Sequence, residues 1–280
     1  MDGVYRSSSP SFLHHDDSAA LASVGGLAAT ARSHELVNCS AQCFFAAARQ
    51  QVEPADVNCG TCGGGGHFQY SAELGPHFGP LWTDGISDGV AALSMGSVGE
   101  RPGETTANLW IGGRGVLNAA HYDSFHNMFV QLHGQKRFLL MPPGAAINLY
   151  TYPRLHPSYR QVQPDLTMRP DDPQLQGQFP RLGKMVGSAE KSGSKSLDVM
   201  QVVLNAGEVL YIPPYWFHMA TVPKEASGPA VGVNVWCSLR PHTTPLHHDE
   251  AQCMASVVQL TPSSAAGATP RSWPWSASRS

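Results

Sequence analysis

Four residues hold most of the chemical information in this chain. His121 and Asp123 stand two apart in NAAHYDSFHNMF, Lys136 follows in QKRFLLMPP, and His218 comes much later in GEVLYIPPYWFHMATV. Residues two apart on a strand face the same way, so His121 and Asp123 can point together while Tyr122 points away. His218 lies beyond a Pro213-Pro214 corner that could carry it across to them. Two imidazoles and one carboxylate are the ligand set that holds non-haem Fe(II) on one face and leaves positions open for a co-substrate and O2. An H-x-D triplet also arises by chance in a chain with 13 histidines, so the pair gains its meaning from its surroundings.

Lys136 sits among Phe138, Leu139 and Leu140. A compact ammonium suits pairing with the distal carboxylate of a dicarboxylate co-substrate. The plainer reading is an edge-strand or snorkelling surface lysine. Asn127 and Asn234 are polar residues in otherwise apolar strand text. Each either faces solvent or donates to a co-substrate from inside a barrel. In VGVNVW, Asn234 and Trp236 share one face and Val233 and Val235 the other, and one of those faces must look inward.

The elements around these residues read as short strands. TANLWIGG is an apolar run closed by glycines, and NMFVQLHG and QKRFLLMPP read as a hairpin joined at His133-Gly134-Gln135. VMQVVLNAGEVLYIPP gives two strands around a turn at Asn205-Ala206-Gly207, and AVGVNVWCSL one more. The Pro- and Tyr-rich stretch from Pro142 to Asp165 reads as a long loop, and Lys184 to Ser196 as a solvated Gly/Ser/Lys insertion. One helix is expected over about Ser33 to Gln51, which holds strong helix formers. The expected organisation is a low-complexity, largely disordered segment over 1–66, an organised domain over 67–240 and a disordered tail over 241–280. Many short strands with abundant Gly (28) and Pro (22) point to an all-β core, a double-stranded β-helix or jelly roll with minor helices.

The order HYDSFHNMFVQLHGQKRFLLMPP, GEVLYIPPYWFH, GVNVW resembles the Jumonji C (cupin-like) family of Fe(II)- and 2-oxoglutarate-dependent oxygenases, nearest to the group of hypoxia-inducible-factor asparaginyl hydroxylases. The resemblance covers about Leu109 to Leu239, with a fainter extension to Phe68. It implies iron on His121, Asp123 and His218, and 2-oxoglutarate on Lys136, Asn127 and Asn234. Tyr70, in FQYSAEL, falls where such enzymes place a tyrosine hydroxyl on the same carboxylate. Asn118 stands where the family often has a threonine that helps hold 2-oxoglutarate, and an amide can still donate there. Arg160 and Gln161 match a loop that contacts the peptide substrate, and Trp236 a tryptophan near the metal. The activity implied is a dioxygenase that hydroxylates protein side chains. A lysine demethylase, an RNA-base hydroxylase and a non-catalytic cupin-fold scaffold are the alternatives.

Net charge is −3, without the basic footprint of nucleic-acid binding. No apolar run is long enough to span a bilayer. The N-terminus, MDGVYRSSSPSFLHHDD, lacks the basic-then-apolar order of a signal peptide, so an intracellular setting with reduced cysteines is expected. Cys39, Cys43, Cys59 and Cys62 have a spacing near that of structural zinc sites. Cys39 and Cys43 lie four apart on the expected helix, however, where one apolar face would bury both. The four are therefore read as free thiols rather than zinc ligands, and Cys237 as a core residue.

Overall fold

The computed structural model describes residues 4–12, 34–49, 66–80, 82, 88–90, 105–154, 156, 158–169, 171–183, 199–237 and 256–259. The strands are β1 (Val4–Ser7), β2 (Ser11–Phe12), β3 (Glu35–Val37), β4 (His67–Glu73), β5 (Thr105–Gly112), β6 (Leu117–Tyr122), β7 (His126–His133), β8 (Gln135–Met141), β9 (Met200–Asn205), β10 (Glu208–Ile212), β11 (Phe217–Thr221), β12 (Ala230–Cys237) and β13 (Ser256–Gln259). They form an eight-stranded sheet, β13-β10-β7-β12-β5-β4-β1-β3, and a five-stranded sheet, β2-β6-β11-β8-β9. With the sheets almost wholly antiparallel and the helices short, the chain is the jelly roll expected.

Each sheet buries both faces. The inner face of the small sheet carries Phe138, Leu140, Leu204 and Ala220, which pack on Phe129, Leu210 and Ile212 of the large sheet. Its outer face carries Leu117, Ala120, Leu139, Met141, Phe217 and Met219. Leu149 and Val162 of the stretch expected to be only a loop, with Leu166, Leu175 and Leu182 after it, cover that outer face, which is why β8 can be apolar on both sides. The expected hairpin at His133-Gly134-Gln135 is corrected. β7 pairs with β10 and β12, whereas β8 pairs with β11 and β9, so Gly134 takes the chain from one sheet to the other. Its φ is 68°, and a Cβ there would lie 2.6 Å from the Pro229 carbonyl oxygen, so only glycine turns this corner.

Parts of both ends expected to be disordered are ordered. β1 pairs with β3 and β4, β2 runs parallel to β6, and β13 lines up against β10. The helix α1 spans Ala41–Arg49, shorter than the span expected. Ser40 Oγ accepts from Cys43 N (3.1 Å) and so fixes its start, while the residues before it pair as β3. Val4, Cys39, Phe44, Phe68 and Ile111 form one buried cluster, and this apolar face is what composition alone concealed. Cys39 and Cys43 each take part in a disulfide, which corrects the expectation of free thiols at these two positions. Cys59, Cys62, the Lys184–Ser196 insertion and the Trp-containing end of the tail lie outside the described residues. Cys237 is buried in the core. Among the described residues, no helix is long and apolar enough to cross a membrane.

Candidate functional site

β6 and β11 are antiparallel neighbours, and their register sets His121 directly opposite His218. Beyond that pair the register shifts: Ala220 faces Asn118, so three steps on β6 answer two on β11. One extra residue is therefore accommodated at Ala119–Ala120, a β-bulge opposite Met219. Strict alternation would put Asn118 and His121 on opposite faces. The bulge resets the alternation, so Leu117 and Ala120 join the outer core while Asn118, His121 and Asp123 all line the space between the sheets.

That space is a cavity of about 330 Å³. The small sheet supplies Asn118, His121, Lys136, Phe138, His218 and Ala220, and the large sheet Trp110, Asn127, Phe129, Ile212, Asn234 and Trp236. Asp123 and Phe125, from the turn after β6, also line it, as does the loop Ser158 to Gln161. One ligand atom from each of His121, Asp123 and His218 lies within 4.8 Å of the other two. The imidazole centroids are 4.3 Å apart, and His218 Nε2 lies 3.7 Å from Asp123 Oδ2.

Backbone carbonyls orient both rings. His121 Nδ1 lies 2.7 Å from the Ala119 oxygen and His218 Nδ1 3.1 Å from the Trp216 oxygen. Each ring thus commits Nδ1–H to the backbone and leaves Nε2 as the lone-pair donor, an arrangement typical of metal-ligating histidines. Burial, and secondly the neighbouring His218, hold His121 down to a pKa of about 4, so it is neutral at physiological pH, as a ligand must be. The Tyr215 N–H donates to the Asp123 carbonyl (2.7 Å), tying the Pro213-Pro214 corner to the segment that bears the carboxylate. Tyr215 takes φ 64° to do so.

Lys136 is buried, with its Nζ 4.7 Å from the Phe129 ring centroid and 5.9 Å from that of Phe138. Burial lowers its pKa from 10.5 to about 8. Among the described residues no carboxylate lies in salt-bridge range of it. Asn127 and Trp236 are opposite each other in the β7–β12 register, and Asn127 Oδ1 and Trp236 Nε1 are buried with no hydrogen-bond partner. Asn234 Oδ1 accepts from Trp110 Nε1 at 2.7 Å. Asn118 Nδ2 donates to Gln69 Oε1 at 3.1 Å. Arg160 Nη1 lies 3.6 Å from Asp123 Oδ1, and Gln161 bridges to His121 along the open edge of β6.

Every site residue expected from the sequence lines this cavity except Tyr70. Tyr70 lies on the outer face of β4 with its ring 6.4 Å from Phe44, while its neighbour Gln69 points inward to Asn118. The placement of Tyr70 is thus corrected by one residue of strand alternation. Gln69, Trp110, Phe125 and Phe129 went unnoticed in the sequence. For Trp110 and Phe129 the signal was available, since each alternates in phase with an inward asparagine of a paired strand.

A family model described as a cupin-like domain matches residues 80–236, more than half of the chain. The chain is similar to Lysine-specific demethylase JMJ32 of Arabidopsis thaliana, 28% identical over 144 residues, covering 48% of this chain and 41% of that protein. It is similar to Jumonji C domain-containing protein 5 of Drosophila melanogaster, 29% identical over 138 residues, covering 49% and 29%. It is also similar to the human Bifunctional peptidase and (3S)-lysyl hydroxylase JMJD7, 26% identical over 136 residues, covering 46% and 40%. The matched regions span less than half the length of these relatives.

Proposed function

The chain belongs to the cupin-like, Jumonji C family, and we propose that it is an Fe(II)- and 2-oxoglutarate-dependent oxygenase that hydroxylates a side chain of a protein or peptide. One observation carries the proposal: a His–Asp–His cluster and a buried ammonium without a carboxylate partner among the described residues share one cavity between the sheets.

His121 and His218 would offer Nε2 to iron and Asp123 a carboxylate oxygen, a donor set suited to ferrous ion with open positions. Lys136 would hold the distal carboxylate of 2-oxoglutarate, with Asn118, Asn127 and Asn234 lining the same pocket. The partnerless Asn127 Oδ1 and Trp236 Nε1 are what a wall shaped for a polar guest would leave open. When bound, iron and 2-oxoglutarate would supply the oxidising power: O2 is consumed, 2-oxoglutarate becomes succinate and CO2, and one oxygen atom enters a substrate C–H bond. The chain's own part is to bind, orient and exclude water, the last through Trp110, Phe129 and Phe138. No side-chain base or nucleophile is needed. Arg160 and Gln161 lie beside the cluster and Trp236 lines the same cavity, where a substrate side chain would enter.

Two of the relatives are named for reactions at lysine, which supports a protein substrate and keeps demethylation as the second reading. The test is succinate release from purified protein with Fe(II), ascorbate and 2-oxoglutarate, with and without candidate peptides. Turnover that vanishes in His121→Ala is expected, and wild-type protein that neither turns over nor binds 2-oxoglutarate would leave only a scaffold role. Mass spectrometry of the peptides separates the two enzymatic readings: an added oxygen marks hydroxylation, and loss of a methyl group marks demethylation.

A further inference from the structure

We propose that Gln69 is a positioning residue for the co-substrate: by engaging the Asn118 amide it turns an Asn118 N–H into the cavity, toward the carboxylate that Lys136 holds. This rests on the 2-oxoglutarate reading above.

Gln69 is on β4 of the large sheet and Asn118 on β6 of the small one, so their hydrogen bond joins the two sheets across the interior. Both are buried, at 3% and 7% exposure. Gly112 is opposite Gln69 in the β4–β5 register, and a Cβ there would meet Val222 Cγ2 at 3.1 Å. A buried amide is costly unless bonded, so a pair of amides in an interior is placed there for a reason or satisfies itself. This pair does not satisfy itself. The Asn118 NH2 has two donor hydrogens, and Gln69 Oε1 takes one. Asn118 lines the cavity, where the second can find an acceptor.

The register shows what that hydrogen would meet. On the inner face of the small sheet, His121, His218 and Leu140 form one row; Asn118, Ala220 and Phe138 form the next. Lys136 lies two residues beyond Phe138, about 7 Å further from the cluster. Asn118 therefore stands in the row between the His–Asp–His cluster and the ammonium, with Ala220 and Phe12 as its strand neighbours. A dicarboxylate reaching from one to the other must pass it. Asparagine alone could present either end of its amide, and a carbonyl oxygen turned toward a carboxylate would repel it. With Gln69 Oε1 turned to it, as in the structure, only the nitrogen end of Asn118 can bond, and that orientation attracts the ligand.

The test is a double-mutant cycle read by calorimetry of 2-oxoglutarate binding to the full chain, with Mn(II) in place of Fe(II) and no oxygen. Gln69→Met is nearly isosteric and keeps the volume. It is expected to weaken binding about ten- to a hundredfold, the loss of one charge-assisted hydrogen bond. Asn118→Ala should do the same, and the double variant should bind no worse than Asn118→Ala alone. Threonine at 118 has a stiff χ1 and needs no partner to aim its hydroxyl. Gln69→Met should therefore have little effect in an Asn118→Thr background, a result that a general packing defect would not produce. Additive losses, or unchanged affinity in Gln69→Met, would overturn the proposal. If Gln69→Met fails to fold, Gln69→Leu on the Asn118→Thr background decides it: affinity equal to Asn118→Thr supports, and a further loss overturns. Wild-type protein that binds Mn(II) but not 2-oxoglutarate would instead sink the functional reading itself, and this inference with it.

Discussion

An ammonium held against two aromatic rings with no carboxylate of the described residues in reach destabilises the fold it sits in. The fall of Lys136 from 10.5 to about 8 corresponds to about 3 kcal/mol. Folded protein releases this proton near pH 8 and unfolded protein near 10.5. Below pH 8 the penalty is present in full; between 8 and 10.5 the unfolded chain binds the extra proton, and stability recovers with rising pH. Lys136→Met should therefore melt higher than wild type, by about 1–3 kcal/mol at pH 7, and the difference should shrink toward zero by pH 10.5. The same variant should lose 2-oxoglutarate binding. In wild type, binding should weaken as pH rises past about 8, because the ligand needs the charged form. Denaturant melts and calorimetry across pH 7–10 check both, and a Lys136→Met protein no more stable than wild type would show that the ammonium is well solvated.

At the scale of elements, the bulge in β6 decides what the site contains. The H-x-D pair was legible because both residues lie beyond the bulge, where alternation holds. Lys136, Asn127, Asn234 and Trp236 were legible for the same reason, each lying in a strand whose parity is unbroken over the relevant residues. Tyr70 was misplaced because an aromatic and an amide are adjacent in β4, and nothing local says which face α1 covers. The apparent hairpin at Gly134 failed because sheet membership depends on partners about 70 to 100 residues away, such as β9 and β12. Deleting Ala119 should remove the bulge and leave Asn118 two residues before His121, so strict alternation then keeps both facing the cavity and Leu117 outside it. Co(II) binding, followed by its visible absorbance, and 2-oxoglutarate binding should therefore both survive the deletion, and loss of either would show that the site needs the bulge itself. Gly232 offers a second probe. A Cβ there would lie 2.5 Å from Cζ of Phe129, whose ring is the surface under Lys136. Gly232→Ala should cost about 1–3 kcal/mol and weaken 2-oxoglutarate binding, because the ring can yield only by moving.

At the scale of the molecule, the Ser-, Ala- and Gly-rich first quarter of the chain is expected from composition to be largely disordered, yet the fold gives parts of it a structural role. β1 covers the edge of β4, and β2 adds to the small sheet beside the strand that bears the metal cluster. Phe44 and Ala48 of α1 bury their side chains against Phe68 and Ile111 on the outer face of the large sheet. A chain beginning at His67 would expose that apolar face and leave β4 as a bare edge, a template for pairing between molecules. It would also loosen the strand that carries Gln69 to Asn118. Such a chain is expected to associate on size-exclusion chromatography, to lose a cooperative thermal transition and to bind 2-oxoglutarate poorly. A monomer that melts like the full chain would restore the compositional expectation. It would also mean that the remaining strands hold the cavity on their own, since Lys136, Asn127 and Asn234 all lie in the part retained.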